Sequence, residues 1–524
     1  MRSAFRSAAA VGALTHLAVA TPNPYAWKPA PKPRDVWRPA VNSEELQAAI
    51  SGDALLGHEE QLQSFAYAYP ERNRIMGGQA HNDTVTYIYE TLTALGDYYD
   101  VTLQPWSSVV QVSGEASLAI DGANITDASL MEYSSSGNVS APLVAVSNFG
   151  CDQSDYPSEV SGNVALISRG TCEFGLKSVY AGLAGAVAAV IYNNVEGNLS
   201  GTLGTPRDEG PYVPTVGISN ELGLELVDEI AGGASPVADV YVSTVIANAS
   251  TYNVLAQTRG GDQNNTLILS GHSDSVAAGP GINDDGSGST GILEVALQLS
   301  NYTTTNSVRF AWWSGEEEGL LGSTYYVETL PAAELAKLRL MLDFDMIASP
   351  NYIYAVYDGD GSAFNISGPA GSAEAEALFV DYYAARGVAS TAAEFDGRSD
   401  YGPFLDAGVA CGGVFTGAEG IKTADEAALF GGEAGVAYDV NYHGAGDTTA
   451  NLNMTAFVLN TQAIAHAVAT YATSFDSLNQ GAAVARRGVQ WRKPVLEGKR
   501  GEAPRVARSK RNAFKSKKTG KMFG

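Results

Sequence analysis

The feature that most constrains this chain is a recurring pairing of an apolar, strand-like run with a short motif rich in His, Asp or Glu. Residues 266–270 lead into Gly271-His272-Ser273-Asp274-Ser275. Residues 308–313 run into Ser314-Gly315-Glu316-Glu317-Glu318-Gly319, and residues 338–344 into Asp345-Met346. Gly281-Ile282-Asn283-Asp284-Asp285-Gly286-Ser287-Gly288 opens a helix over 288–299, and Tyr442-His443 follows much later. Strands alternating with helices predict an α/β fold around a central mixed, largely parallel β-sheet flanked by helices. Such sheets carry their sites just beyond the strand ends. Two histidines and several carboxylates without thiolates make a nitrogen/oxygen donor set, which suits zinc and similar divalent metals. The set is large enough for two ions and points to metal-assisted hydrolysis.

The 524 residues are 45% hydrophobic and 17% charged, a globular composition long enough for more than one core. Residues 1–20 read as a secretory signal: Arg2 and Arg6 precede a small-residue apolar run, and Ala18-Val19-Ala20 offers a cleavage site. A Pro-rich extension covers 21–41. The catalytic body is expected at 42–111 and 246–476. Between them, 112–245 has short β runs separated by Gly, Asn and Ser, and no ligand motif, so it reads as an inserted module. That module is expected to be a lid or folding aid without chemistry of its own.

The net charge of −25 is uneven: from Arg486 onward, fourteen Lys and Arg face only Glu497 and Glu502. The tail, 477–524, reads as a disordered basic appendage. The strongly acidic remainder excludes nucleic-acid binding by the fold itself. No segment beyond the signal is long and apolar enough for a stable membrane anchor. Nine Asn-X-Ser/Thr sequons, at Asn82, Asn124, Asn138, Asn198, Asn248, Asn264, Asn301, Asn365 and Asn453, fit the secretory route. An extracellular destination is expected, with the vacuole as second choice. Cys151 and Cys172 are close enough in sequence to pair in an oxidising compartment, and Cys411 reads as a buried thiol. His466, in a last helix over 456–473, reads as a packing residue. The oligomeric state is not written in the sequence.

With Asp396-Gly397-Arg398-Ser399-Asp400-Tyr401 and the stretch from Val414 to Thr423 added, the motifs over roughly 270–450 resemble, in order, those of the aminopeptidase Y group of dinuclear zinc exopeptidases. Residues 112–245 resemble a protease-associated domain through Asn148-Phe149-Gly150-Cys151 and Arg169-Gly170-Thr171-Cys172-Glu173-Phe174. The resemblance implies an aminopeptidase that acts on peptides with a free N-terminus and prefers large apolar first residues such as Leu. It implies two zinc ions per subunit, with His272 and Asp345 on one, Glu317 and His443 on the other, and Asp284 between them. Glu316 becomes the general base, Asp274 the partner of the His272 imidazole and Tyr442 a donor to the oxyanion. Arg398 and Phe415 fall near the substrate, although an Arg beside Asp396 and Asp400 can equally be an ion-pair partner. Relatives often carry cysteines flanking the Tyr-His motif. Here Asn441 and Gly446 stand there, and Asp447 is expected to cap the following turn instead.

Three rival readings remain open. A carboxypeptidase or dipeptidase of the same clan needs gathered cations for a free carboxylate, and only Arg398 offers one. A one-zinc glutaminyl cyclase needs fewer ligands. A non-catalytic, peptidase-like binding protein loses ligands that this chain carries.

Overall fold

In the computed structural model, residues 37–195, 197–199 and 201–478 and the backbone of 489–490 are described. The expected signal, most of the Pro-rich extension and most of the basic tail lie outside the described residues. Val489–Gln490 forms a short parallel strand on Ile366–Ser367. No helix among the described residues is long and apolar enough to cross a membrane.

The catalytic body is built on a mixed sheet. Its central strands are Asn306–Trp313, Asp262–His272, Leu338–Asp343 and Cys411–Phe415, adjacent in that order and mutually parallel. Nearly every side chain in them is buried, as expected for strands covered by helices on both faces. The alternation of a strand decides which face each ring meets. Trp312 sends its indole N–H to the Ser289 carbonyl at 2.9 Å, on the side of the Gly288–Leu299 helix. Its neighbour Trp313 turns the other way and packs against Tyr326 and Phe404. The Met454–Thr473 helix lies on the Gly288–Leu299 side; Asn453 starts it by accepting the Ala456 N–H at 3.1 Å.

Two long antiparallel strands, Tyr99–Ile120 and Val237–Thr258, join this body to the inserted module. They run on past residues 112 and 245, with a register shift between Gln111 and Ser113. The module therefore extends the same sheet. Gly137–Ala145 pairs with the first half of Val237–Thr258, followed by Val164–Ser168, Ala188–Tyr192, Thr215–Ile218, Ser129–Glu132 and Gly201–Thr202. Cys151 and Cys172 form a disulfide in this module. Cys411 is buried in the body without a disulfide partner.

Strand register sets the site. His272 pairs with Trp313 and Ser270 with Asp343, so the residues that follow these strands emerge along one edge. Gly288 lets the helix approach that edge, because a Cβ there would collide with the Phe344 carbonyl.

Candidate metal centre

At that edge, five side chains from five segments meet. Asp284 is 5% exposed and turns one oxygen toward each histidine. Its Oδ1 lies 3.2 Å from His272 Nε2, and its Oδ2 lies 3.0 Å from His443 Nε2. Glu317 Oε2 is 3.1 Å from His443 Nε2, and Asp345 Oδ1 is 3.8 Å from His272 Nε2. The five thus fall into two groups that share Asp284. Glu316 stands beside them, with Oε2 3.9 Å from His272 Nε2.

The donor set fits divalent cations such as zinc. Glu317 Oε1 is a buried carboxylate oxygen without a hydrogen-bond partner, and Asp284 Oδ2 faces only the His443 imidazole, a costly arrangement unless a cation meets them. Burial works against charge on the imidazoles, yet the surrounding carboxylates outweigh it. Asp274, Asp284 and Asp345 hold His272 well above its ordinary range, and Glu317 and Asp284 bring His443 to about 10. Burial likewise opposes ionisation of Asp284, but the two imidazoles hold its carboxyl below the usual range. The pocket carries an excess of negative charge, and positive charge fits it.

The surrounding hydrogen bonds hold the donors in place. Asp285 ties three motifs together: it accepts the His272 N–H at 3.0 Å, the Gly288 N–H at 2.8 Å and the Met346 N–H at 3.1 Å. Asp274 Oδ1 lies 3.6 Å from His272 Nδ1, and its carboxylate accepts the backbone N–H groups of Glu316 and Glu317 at 3.3 and 3.4 Å. Asp447 differs from expectation. It meets the following turn only through the Asn451 side-chain amide, at 3.3 Å, and reaches across to accept the N–H groups of Asn283 at 2.8 Å and Asp284 at 3.1 Å. The His443 loop is pinned further by Asn441, which donates to Asn451 at 2.6 Å. Asn451 in turn donates to Asp439.

Two supporting residues escaped the sequence reading. The Ser399 hydroxyl lies 2.6 Å from Asp345 Oδ2 and 2.8 Å from Asp343 Oδ2, between the two carboxylates. Burial, and then the nearby Asp345, pushes Asp343 up to about 6. The signal was there: Asp343 ends its strand and Asp345 follows two residues on, the spacing that returns an extended chain to the same side. Arg74 was also missed. It is wholly buried behind the loop, and its guanidinium donates to the carbonyls of Ser273, Pro280 and Gly281.

A cavity of about 550 Å³ opens onto Asp284, Glu317, Asp345 and His443, with His272 buried behind them. Met346, Tyr357 and Phe415 give it an apolar wall. Arg398 lines it too, pairs with Glu419 at 3.0 Å and donates to the Tyr442 hydroxyl at 3.2 Å. Its backbone N–H goes to Asp396, whose charge also acts on the guanidinium, and the Asp400 carboxylate accepts from Ser323. The Tyr442 ring stacks on His443 at 3.8 Å between centroids. His466 lies away from the donors, with Nδ1 2.7 Å from the Ser43 hydroxyl. The cavity's remaining wall comes from the inserted module, through residues such as Glu132, Leu203 and Arg207. The module was expected to be a lid or folding aid without chemistry of its own; it lines part of the pocket.

A family model described as peptidase family M28 matches residues 253–468, and one described as the PA domain matches 139–226. "Probable leucine aminopeptidase 2" of Aspergillus fumigatus is 52% identical over 447 residues, covering 84% of this chain and 88% of that protein. "Leucine aminopeptidase 2" of Arthroderma otae is 48% identical over 467 residues, covering 88% and 92%. Among solved structures, the aminopeptidase from Aneurinibacillus sp. strain AM-1 superposes with a TM-score of 0.67 at 25% identity, covering 88% of this chain and all of that one.

Proposed function

From the premise that the chain belongs to peptidase family M28 and is a zinc-dependent aminopeptidase, we propose that it is secreted and removes large apolar residues such as Leu from the N-termini of peptides, using two zinc ions. One observation carries this reading: Asp284 stands between His272 and His443 with one oxygen toward each, as a shared ligand requires.

In this reading His272 and Asp345 would hold one ion, Glu317 and His443 the other, and Asp284 would be shared. Bound zinc supplies a Lewis acid that activates water and polarises the scissile carbonyl. Glu316 is the general base: it is 4% exposed, lies next to the donors and is not needed as one. It takes a proton from the attacking water and passes it to the departing amine. Tyr442 accepts a bond from Arg398, which leaves its own proton for the oxygen that gains charge. Asp345 meets the substrate's α-ammonium group, and Met346, Tyr357 and Phe415 receive the first side chain. The leucine preference also draws on the names of the two fungal relatives.

Secretion is supported by the signal-like leader, the disulfide and the sequons. Eight of the nine sequon asparagines are exposed; Asn453 is half-buried and serves as a helix cap.

The test combines metal analysis with an assay on leucyl-p-nitroanilide and its N-acetyl form. Two zinc ions per chain and cleavage of the free amine alone are expected. Cleavage of the blocked substrate, or activity that survives chelation, would overturn the reading.

A further inference from the structure

The inserted module does more than wall the cavity. At the end of its Ser129–Glu132 strand, Tyr133 donates its hydroxyl to Glu318 Oε2 at 2.7 Å. The ring packs in the module's own core with Met131, Phe174 and Leu203, while the hydroxyl leaves that core for the neighbouring body. Tyr133 has a φ of +62°, in the left-handed region that a bulky aromatic rarely adopts. Two bonds hold it there. Gln111 accepts the Tyr133 N–H at 2.7 Å, and the Ser134 N–H returns to the Met131 carbonyl at 3.1 Å. Gln111 sits at the register shift where the long strands pass from body to module.

Glu318 belongs to the turn that carries Glu316 and Glu317. Gly319 and Leu320 both donate to the Glu316 carbonyl, at 2.8 and 2.9 Å, so the turn moves as a unit. On the body side, Asp274 holds it through bonds of 3.3 and 3.4 Å, at the long end of the useful range. The Tyr133 bond, at 2.7 Å, is of full-strength length and so is the tighter tie.

We propose that Tyr133 is a positioning residue: through Glu318, the inserted module sets where Glu316 and Glu317 stand. The proposal rests on the reading of Glu316 as base and Glu317 as zinc ligand. The same strand end also holds the pocket wall, because the Glu132 carbonyl accepts the Leu203 N–H at 2.8 Å. Pocket and catalytic turn are therefore fastened to one short segment of the module.

The experiment uses the full-length protein with Tyr133→Phe, Glu318→Ala and the double variant. Tyr133→Phe keeps the packed ring and removes only the donor. It is expected to lower kcat on leucyl-p-nitroanilide by about tenfold with KM little changed, the size of one buried hydrogen bond. Zinc release to a chromogenic chelator should speed up, because Glu317 is held less firmly, while the melting temperature stays close to wild type. If the bond carries the effect, the double variant is no worse than the worse single one. Wild-type kcat and zinc release in Tyr133→Phe, or fully additive losses, would overturn the proposal. Zinc release is read without turnover, so it still tests Tyr133 if the aminopeptidase reading itself fails. An inactive zinc-loaded wild type would mark that separate failure.

Discussion

Asp447 accepts the backbone N–H of Asp284 at 3.1 Å, so the loop that carries one histidine is fastened to the base of the shared carboxylate. The same side chain takes the Asn283 N–H at 2.8 Å. Asp447→Ala leaves two buried donors without their acceptor, at about 1–3 kcal/mol each. Both loops should loosen together. Zinc content is expected to fall below two per chain and the melting temperature to drop. A variant with full zinc and wild-type melting would show that the two loops are held elsewhere.

This bond also marks where sequence reasoning ends. The donors at the strand ends were legible because an apolar run followed by a polar motif is a one-dimensional pattern. His272, Glu317 and Asp345 each follow such a run, and the sheet register brings them to one edge. Asp447 was placed in its own turn because turn chemistry is local, whereas the backbone N–H groups it accepts lie 163 and 164 positions away. Arg74 reads as a surface charge in any composition-based view. It is buried because three backbone carbonyls turn inward and need donors. Tyr133 was illegible for the same reason: its acceptor is across a domain boundary.

Glu316→Gln keeps the size of the side chain and removes its basicity. The backbone N–H groups of Glu316 and Glu317 donate to Asp274 without using the Glu316 side chain, so the turn should persist. The variant is expected to bind two zinc ions and to lose about 10²- to 10⁴-fold in kcat, the usual range for a general base. Turnover near wild type in the zinc-loaded variant would remove Glu316 from that role.

Metal removal should cost stability as well as activity. Without cations, Asp284, Glu317 and Asp345 crowd their charges into a buried pocket beside Glu316. Ions that bind only the folded chain stabilise it by mass action. Chelated protein is expected to melt at least about 3 °C lower than the zinc-loaded form, with recovery when zinc is returned. Equal melting temperatures would mean that the folded state does not depend on the ions.

Glu59 makes stability depend on pH in an unusual direction. It lies on the Gly52–Tyr67 helix, wholly buried, and accepts the Thr290 hydroxyl at 2.5 Å. Its Oε2 would lie 2.6 Å from a Cβ on Gly286, so it abuts the segment that carries Asp284. Burial pushes its carboxyl up from 4.5 to about 8, against the opposing pull of the Thr290 bond and Arg74. The folded chain then holds a proton that the unfolded chain releases near 4.5. This contribution is full below the unfolded value, declines as pH rises through the interval, and is gone above about 8. Glu59→Gln is neutral throughout and lacks that decline. Between pH 5 and 8, wild type should lose stability relative to the variant by up to about 1.4 kcal/mol per pH unit. Urea midpoints of both proteins across that range measure the difference. Parallel profiles would show that Glu59 stays ionised in the fold, with Arg74 close enough to hold its charge.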